Sequence, residues 1–109
     1  MIAISGNARV FLYQGAVDLR KGHEGLSLLV KVSFDIPLTS GAYFAFMNRP
    51  RNRMKILYWD SDGLAIWFKR LEKGTFTKRY FDKPELERRE FLMLLEGVIP
   101  RRLQSRFKI

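Results

Sequence analysis

Two apolar, aromatic-rich runs, Met54 to Trp59 and Leu64 to Phe68, flank Asp60-Ser61-Asp62-Gly63. Short runs of this composition split by a Gly-containing reversal predict a β-hairpin. A two-residue Asp62-Gly63 turn and a four-residue loop over Asp60 to Gly63 both satisfy the pattern. Either one puts Leu57 and Trp59 on one face with Leu64, Ile66 and Phe68, and Met54, Ile56 and Tyr58 on the other with Ala65 and Trp67. Neither face is polar at its middle, so both need cover. The expectation is a hairpin over 53–70 at the centre of a sheet. Its open end is basic, with Arg53 and Lys55 entering and Lys69 and Arg70 leaving.

The remaining elements follow from periodicity. Val10 to Tyr13 reads as a first strand after the turn-like Ser5-Gly6-Asn7. A helix is expected from Asp18, whose carboxylate can accept orphan N–H groups. Leu19, Leu26, Leu29 and Val30 form its apolar stripe. Gly22 and Gly25 each weaken it by up to about 1 kcal/mol relative to Ala, and mark either close packing on a sheet or a split helix. Asp35 to Gly41 is a connection, Ala42 to Met47 a strand, and Asn48 to Asn52 a basic turn. Glu72 to Phe76 turns into a last strand ending near Tyr80. A second helix then opens at Asp82-Lys83-Pro84-Glu85, with Asp82 as cap, Glu85 closing a capping box and Pro84 in the first turn. Leu86, Met93, Leu94 and Leu95 form its apolar side; Gly97 and Pro100 end it. The order β-α-β-β-β-β-α predicts an α+β fold: a mostly antiparallel sheet of about five strands with two helices on one face.

A chain of 109 residues makes one domain, expected over 1–100, with a basic, mobile tail over 101–109. No apolar run approaches the ~20 residues of a membrane span, and Met1 to Ser5 carries no secretion signal. The absence of cysteine excludes disulfides and thiolate chemistry, and a cytoplasmic location fits. The net charge of +9 favours an acidic partner. It is concentrated: Arg49, Arg51, Arg53 and Lys55 stand together without an acid, as do Arg101, Arg102, Arg106 and Lys108.

In an extended chain the spacing of Arg49, Arg51, Arg53 and Lys55 aims all four at one face, where they can neutralise phosphates. Tyr58, Trp59 and Trp67 lie nearby and could stack bases, although core packing is the plainer role for both tryptophans. Asp60 and Asp62 could hold Mg²⁺ if Asp18, Glu24 or Glu72 converged on them; turn chemistry explains them more simply. His23 is the only histidine, so a histidine-based metal site within one chain is excluded. No serine elbow, Walker loop or dinucleotide fingerprint is present. No catalytic residue, metal or cofactor is expected.

Arg53-x-Lys55-Ile56-Leu57-x-Trp59-Asp60-x-x-Gly63-Leu64, followed by Lys69-Arg70-Leu71-Glu72-x-Gly74-x-Phe76, resembles the core of the TnpB-type accessory proteins of sixty-six-type bacterial insertion sequences. The block Asp18 to Leu26, the run Phe44-x-Phe46-x-Asn48-Arg49-x-Arg51, and the ending Leu94-Leu95-Glu96-Gly97-Val98 resemble the same family. His23, Pro50 and Asn52 depart from its pattern. The resemblance implies a non-catalytic helper in transposition, with a separate protein supplying the transposase chemistry. The expectation is DNA binding through a basic hairpin mouth of Arg49, Arg51, Arg53, Lys55, Lys69 and Arg70. The alternative is a protein–protein adaptor that docks on the transposase, or on a companion protein of the element, without touching DNA. The apolar hairpin faces allow a homo-oligomer without requiring one.

Overall fold

The stretch from Arg53 to Arg70 forms the expected hairpin in the computed structural model, which describes residues 2–76 and 83–97. Strands β3 (Arg53–Asp60) and β4 (Gly63–Arg70) pair antiparallel, with Leu57 opposite Ile66 and Trp59 opposite Leu64. This is the register of the four-residue loop. Asp60 also pairs with Gly63, so Ser61 and Asp62 alone turn the chain, with Ser61 at φ 58°.

The hairpin lies at one side of the sheet, not at its centre. Strands β1 (Val10–Ala16), β2 (Tyr43–Met47) and the two-residue β5 (Glu85–Leu86) complete the order β4-β3-β2-β1-β5. β3 is therefore interior and β4 an edge, and each residue from Gly63 to Trp67 is only half-buried. The sheet is mixed: β1 and β2 run parallel, and the other pairings are antiparallel.

The two helices lie on opposite faces, which corrects the one-face expectation. Parallel neighbours need a crossover, and α1 (His23–Ser33) supplies it between β1 and β2. α1 sets Leu26 and Val30 against Phe11, Phe44, Phe46 and Leu57. α2 (Arg88–Glu96) sets Phe91, Leu94 and Leu95 against Leu12, Ala45, Met54 and Ile56. Along β2 the even residues Phe44 and Phe46 face α1, while Ala45 and Met47 face α2. Two helices thus give the sheet the cover that its two apolar faces demand.

Both helices start later than the sequence suggests. Asp18 organises a tight turn instead: its carboxylate accepts the Arg20 N–H at 3.0 Å and its carbonyl accepts that of Lys21 at 3.1 Å. Gly22 is the residue preceding α1, so it marks a boundary. A Cβ at Gly25 would lie 3.0 Å from the Lys21 side chain, so that glycine makes room for Lys21 and not for the sheet.

Glu85 and Leu86 pair with Phe11 and Val10, so they extend the sheet where a helix start was expected. Glu87 caps α2, and a reciprocal capping box links Glu87 and Glu90. The Glu87 N–H donates to Glu90 at 2.9 Å, and Lys83 Nζ lies 2.9 Å from the same carboxylate. Gly97 ends the helix in the left-handed region at φ 73°. The strand expected to run to Tyr80, the Asp82 cap, Pro100 and the tail 101–109 lie outside the described residues.

Burial pushes the Glu90 carboxyl up, but the Glu87 N–H and the Lys83 ammonium outweigh it and hold the pKa below the usual glutamate value. A depressed carboxylate stabilises the fold above its unfolded pKa, and that stability is lost as pH falls through the folded value. Glu90→Ala should therefore cost about 0.5–2 kcal/mol at neutral pH. The difference from wild type should shrink below about pH 4. Urea unfolding at several pH values reads both.

Candidate nucleic-acid interface

The turn from Asn48 to Asn52 determines where the basic side chains go. The Asn48 carboxamide oxygen accepts the N–H groups of Asn52 and Arg53, each at 3.1 Å, and its amide donates to Asn52 Oδ1 at 2.7 Å. The backbone is fixed on its other side too: Leu71 N–H donates to the Asn52 carbonyl and Phe76 N–H to that of Arg51, both at 2.7 Å. Arg51 sits at φ 60° within this turn. The chain is therefore not extended from Arg49 to Arg53, and alternation applies only from Arg53 onward.

Beside this turn an open groove of about 720 Å³ runs between the end of the sheet and the segment Ala16 to Arg20. Arg49, Arg53 and Lys55 line it with Arg20, Asn48 and Phe68. Arg53 pairs directly across the strands with Arg70. Like charges directly opposite each other are unfavourable without an anion between or beside them. Arg70 contacts Glu72 at 3.3 Å, and Arg20 clasps Asp18 through contacts down to 2.6 Å. Among the described residues, Arg49 and Arg53 have no carboxylate partner. Lys55 Nζ donates to the Lys21 carbonyl at 3.0 Å and lies 6.0 Å from the centre of the Phe68 ring.

The six residues of the expected mouth do not form one cluster. Arg49, Arg53 and Lys55 share the groove. Arg70 is on the same face of the sheet, opposite Arg53. Arg51 is half-buried in the turn and does not line the groove. Lys69 pairs with Met54, which belongs to the α2 side of the core, and its Nζ donates to the Leu95 carbonyl at 3.2 Å. A cation there complements the carbonyl end of α2.

Folding adds three residues that sequence reasoning did not select: Arg20, Asn48 and Phe68. In the sequence Arg20-Lys21 is an isolated basic pair and Phe68 one more apolar strand residue. Their signal is three-dimensional, since the block Asp18 to Leu26 and the turn at Asn48 meet at one groove. Asp18 is the groove's only carboxylate among the described residues. Hydrogen bonds from the Arg20 guanidinium, then from its backbone N–H, hold Asp18 well below the ordinary carboxylate range. It stays ionised throughout neutral pH and offsets one cation.

Asp60 and Asp62 sit at the far, turned end of the hairpin. Among the described residues no group of three or more His, Asp or Glu is placed to hold a metal ion. His23 is exposed at the start of α1. Trp67 packs on the α2 side of the core; Trp59 is half-buried and donates its indole N–H to the Ser61 carbonyl at 3.2 Å. No helix among the described residues is long and apolar enough to cross a membrane.

The family model described as "IS66 Orf2 like protein" matches residues 8–105. The chain belongs to the IS66 Orf2-like family. Two curated proteins of Sinorhizobium fredii (strain NBRC 101917 / NGR234), named uncharacterized protein y4hO and uncharacterized protein y4jC, are similar to it. They are 30% and 33% identical over 76 residues, which is 70% of this chain and 66% and 65% of theirs. The chain thus spans just under two thirds of the length of these relatives. No solved structure matches it. The IS66 Orf2-like match includes every groove residue and both core helices.

Proposed function

We propose that this IS66 Orf2-like protein is a non-catalytic accessory factor in transposition that binds DNA through the groove of Arg49, Arg53 and Lys55. Family membership supports the accessory role. The observation that carries DNA binding is the convergence of these cations, with Arg70 across from Arg53, around a single carboxylate already held by Arg20. Guanidinium groups present paired donors that match phosphate oxygens, and each neutralised phosphate releases counterions. Contacts of this kind to phosphate fix a protein's position on the backbone without reading sequence. The element-encoded transposase supplies the chemistry.

An acidic surface on the transposase or a companion protein would satisfy the same cations, and this is the adaptor reading. A mobility shift of purified duplex DNA together with nuclease-sensitive capture of the transposase supports DNA contact. Nuclease-resistant capture without any shift of free DNA supports the adaptor and rejects the groove as a DNA site.

Asp18→Asn keeps an acceptor for the Arg20 N–H but removes the groove's carboxylate. It should tighten DNA binding severalfold at ~100 mM salt, by releasing Arg20 to a further phosphate. Fluorescence anisotropy on labelled duplex reads the change. Unchanged affinity would place the contacts away from Arg20.

A further inference from the structure

The edge strand β4 is eight residues long and apolar from Leu64 to Phe68, and it contains neither proline nor a bulge against β3. Among the described residues no strand pairs with its outer side. Antiparallel pairing directs every second residue's N–H and C=O away from the existing partner, so among the described residues β4 presents a row of open backbone groups. Soluble proteins normally protect such edges with charge, proline or a covering element. β4 carries charge only at its end, in Lys69 and Arg70.

The α1 face beside the edge also exposes large apolar side chains. Phe68 is 51% exposed, and Leu28 on α1 is 62% exposed. A shallow hollow of about 420 Å³ between α1 and β4 has mixed walls: Leu28, Leu38 and Leu64 beside the polar His23, Glu24, Ser27 and Lys31.

We propose that β4 is the seam of a two-fold homodimer, in which two copies pair antiparallel through this edge into one continuous ten-stranded sheet. The charge at the two ends of the strand selects both the direction and the register. A parallel arrangement would set Lys69 and Arg70 of the two copies side by side, and like charges across strands are unfavourable. An antiparallel arrangement brings the basic end of each β4 to the acidic Asp60-Ser61-Asp62 turn of the other.

A two-fold axis perpendicular to the sheet keeps each face continuous, so residues of like parity stand opposite one another. Centred on Ile66, this pairing puts Ile66 against its own copy, Leu64 against Phe68, Ala65 against Trp67, and Asp62 against Arg70. Each large apolar side chain meets an apolar or small one, Arg70 meets Asp62, and Lys69 falls opposite Gly63. Centred one residue later, on Trp67, it would set Leu64 against Arg70 and Trp67 against itself. The Ile66 register is therefore favoured. Both α1 helices, with their exposed Leu28, flank the seam on the same face, and the basic groove of each copy opens on that face too. The dimer does not depend on what the groove binds.

Sedimentation equilibrium of nuclease-treated protein from ~1 to ~200 μM tests this. The expected particle is twice the chain mass of 12.8 kDa at the upper end. Asp62→Arg and Arg70→Asp each replace two opposite-charge pairs per dimer with repulsive or like-sign ones. Each should raise the dimer dissociation constant about tenfold, and the charge-swapped double variant should restore it. Both positions are exposed in the monomer, so circular dichroism should stay unchanged. The chain has no cysteine, so Ile66→Cys gives a clean second readout: mild oxidation should link two copies through this position alone. A 12.8 kDa particle at every concentration overturns the proposal. So does a dimer that ignores both charge reversals and leaves the Ile66→Cys thiol unlinked.

Discussion

Replacing Arg49 and Arg53 together with alanine should lower affinity for duplex DNA about 20-fold at ~200 mM salt and about 200-fold at ~50 mM. Each arginine that neutralises one phosphate contributes about 0.9 to the slope of log affinity against log salt. Two lost contacts flatten that slope by roughly 1.8, and the loss grows as salt falls. The effect should be similar on unrelated sequences, because phosphate contacts carry no sequence information. Neither side chain is buried, and the turn between them is held through Asn48 and backbone groups. The double variant should therefore fold normally. Anisotropy titrations at the two salt concentrations read the prediction. Lys69→Ala is the informative control. Its ammonium serves the α2 end on the opposite face, so its removal should leave the salt slope near wild type.

The largest stability loss is expected at Phe44. Its ring is fully buried on the α1 face. It stacks on Phe11 with centroids 5.6 Å apart and tilts against Phe34 at 5.5 Å. It joins β2 to β1 and to the segment just after α1, so it holds together the crossover that makes the sheet mixed. Phe44→Ala should cost about 3–5 kcal/mol, through lost transfer energy and an unfilled cavity. That is a large share of the 5–15 kcal/mol typical of a whole domain. Phe44→Leu should cost far less, about 1–1.5 kcal/mol, since most of the volume stays filled. Urea unfolding of the three proteins measures the difference. Equal losses for leucine and alanine would mean that ring stacking, not volume, governs the site.

The order from β1 through α1 to β4 was legible because each of these four strands announces itself locally, whereas β5 at Glu85–Leu86 was not. The Leu57/Ile66 and Trp59/Leu64 pairs follow from two apolar runs around one turn. The sides taken by the helices were not legible. Phe44 and Ala45 show that β2 has two apolar faces, but nothing near them says that α1 covers one and α2 the other. That depends on β1 pairing parallel with β2, a contact between distant segments. The edge position of β4 was hidden for the same reason, since an apolar strand at an edge and one inside a sheet look alike. α2 was displaced because its cap is Glu87, a residue type that rarely signals a helix start, while Glu85 is drawn into the sheet by Phe11 and by its contact with Arg9.

The basic groove was half legible. Arg53 and Lys55 follow from strand alternation, and Arg49 reaches them through a turn held by Asn48. Lys69 could not be separated from Arg70 without the register that puts Met54 opposite it. Arg20 and Phe68 enter only when the Asp18 turn folds against the sheet. The same register that splits the lysine from the mouth also leaves Asp62 and Arg70 at opposite ends of the open edge.

The most direct test of DNA binding by the groove is the salt dependence of wild-type affinity for two unrelated duplexes between ~50 and ~200 mM. Three phosphates held by Arg49, Arg53 and Lys55 give an expected log–log slope of about −2.7 and a fall of about fortyfold over that range on both duplexes. No detectable binding at ~50 mM, or an affinity that does not change with salt, would contradict it.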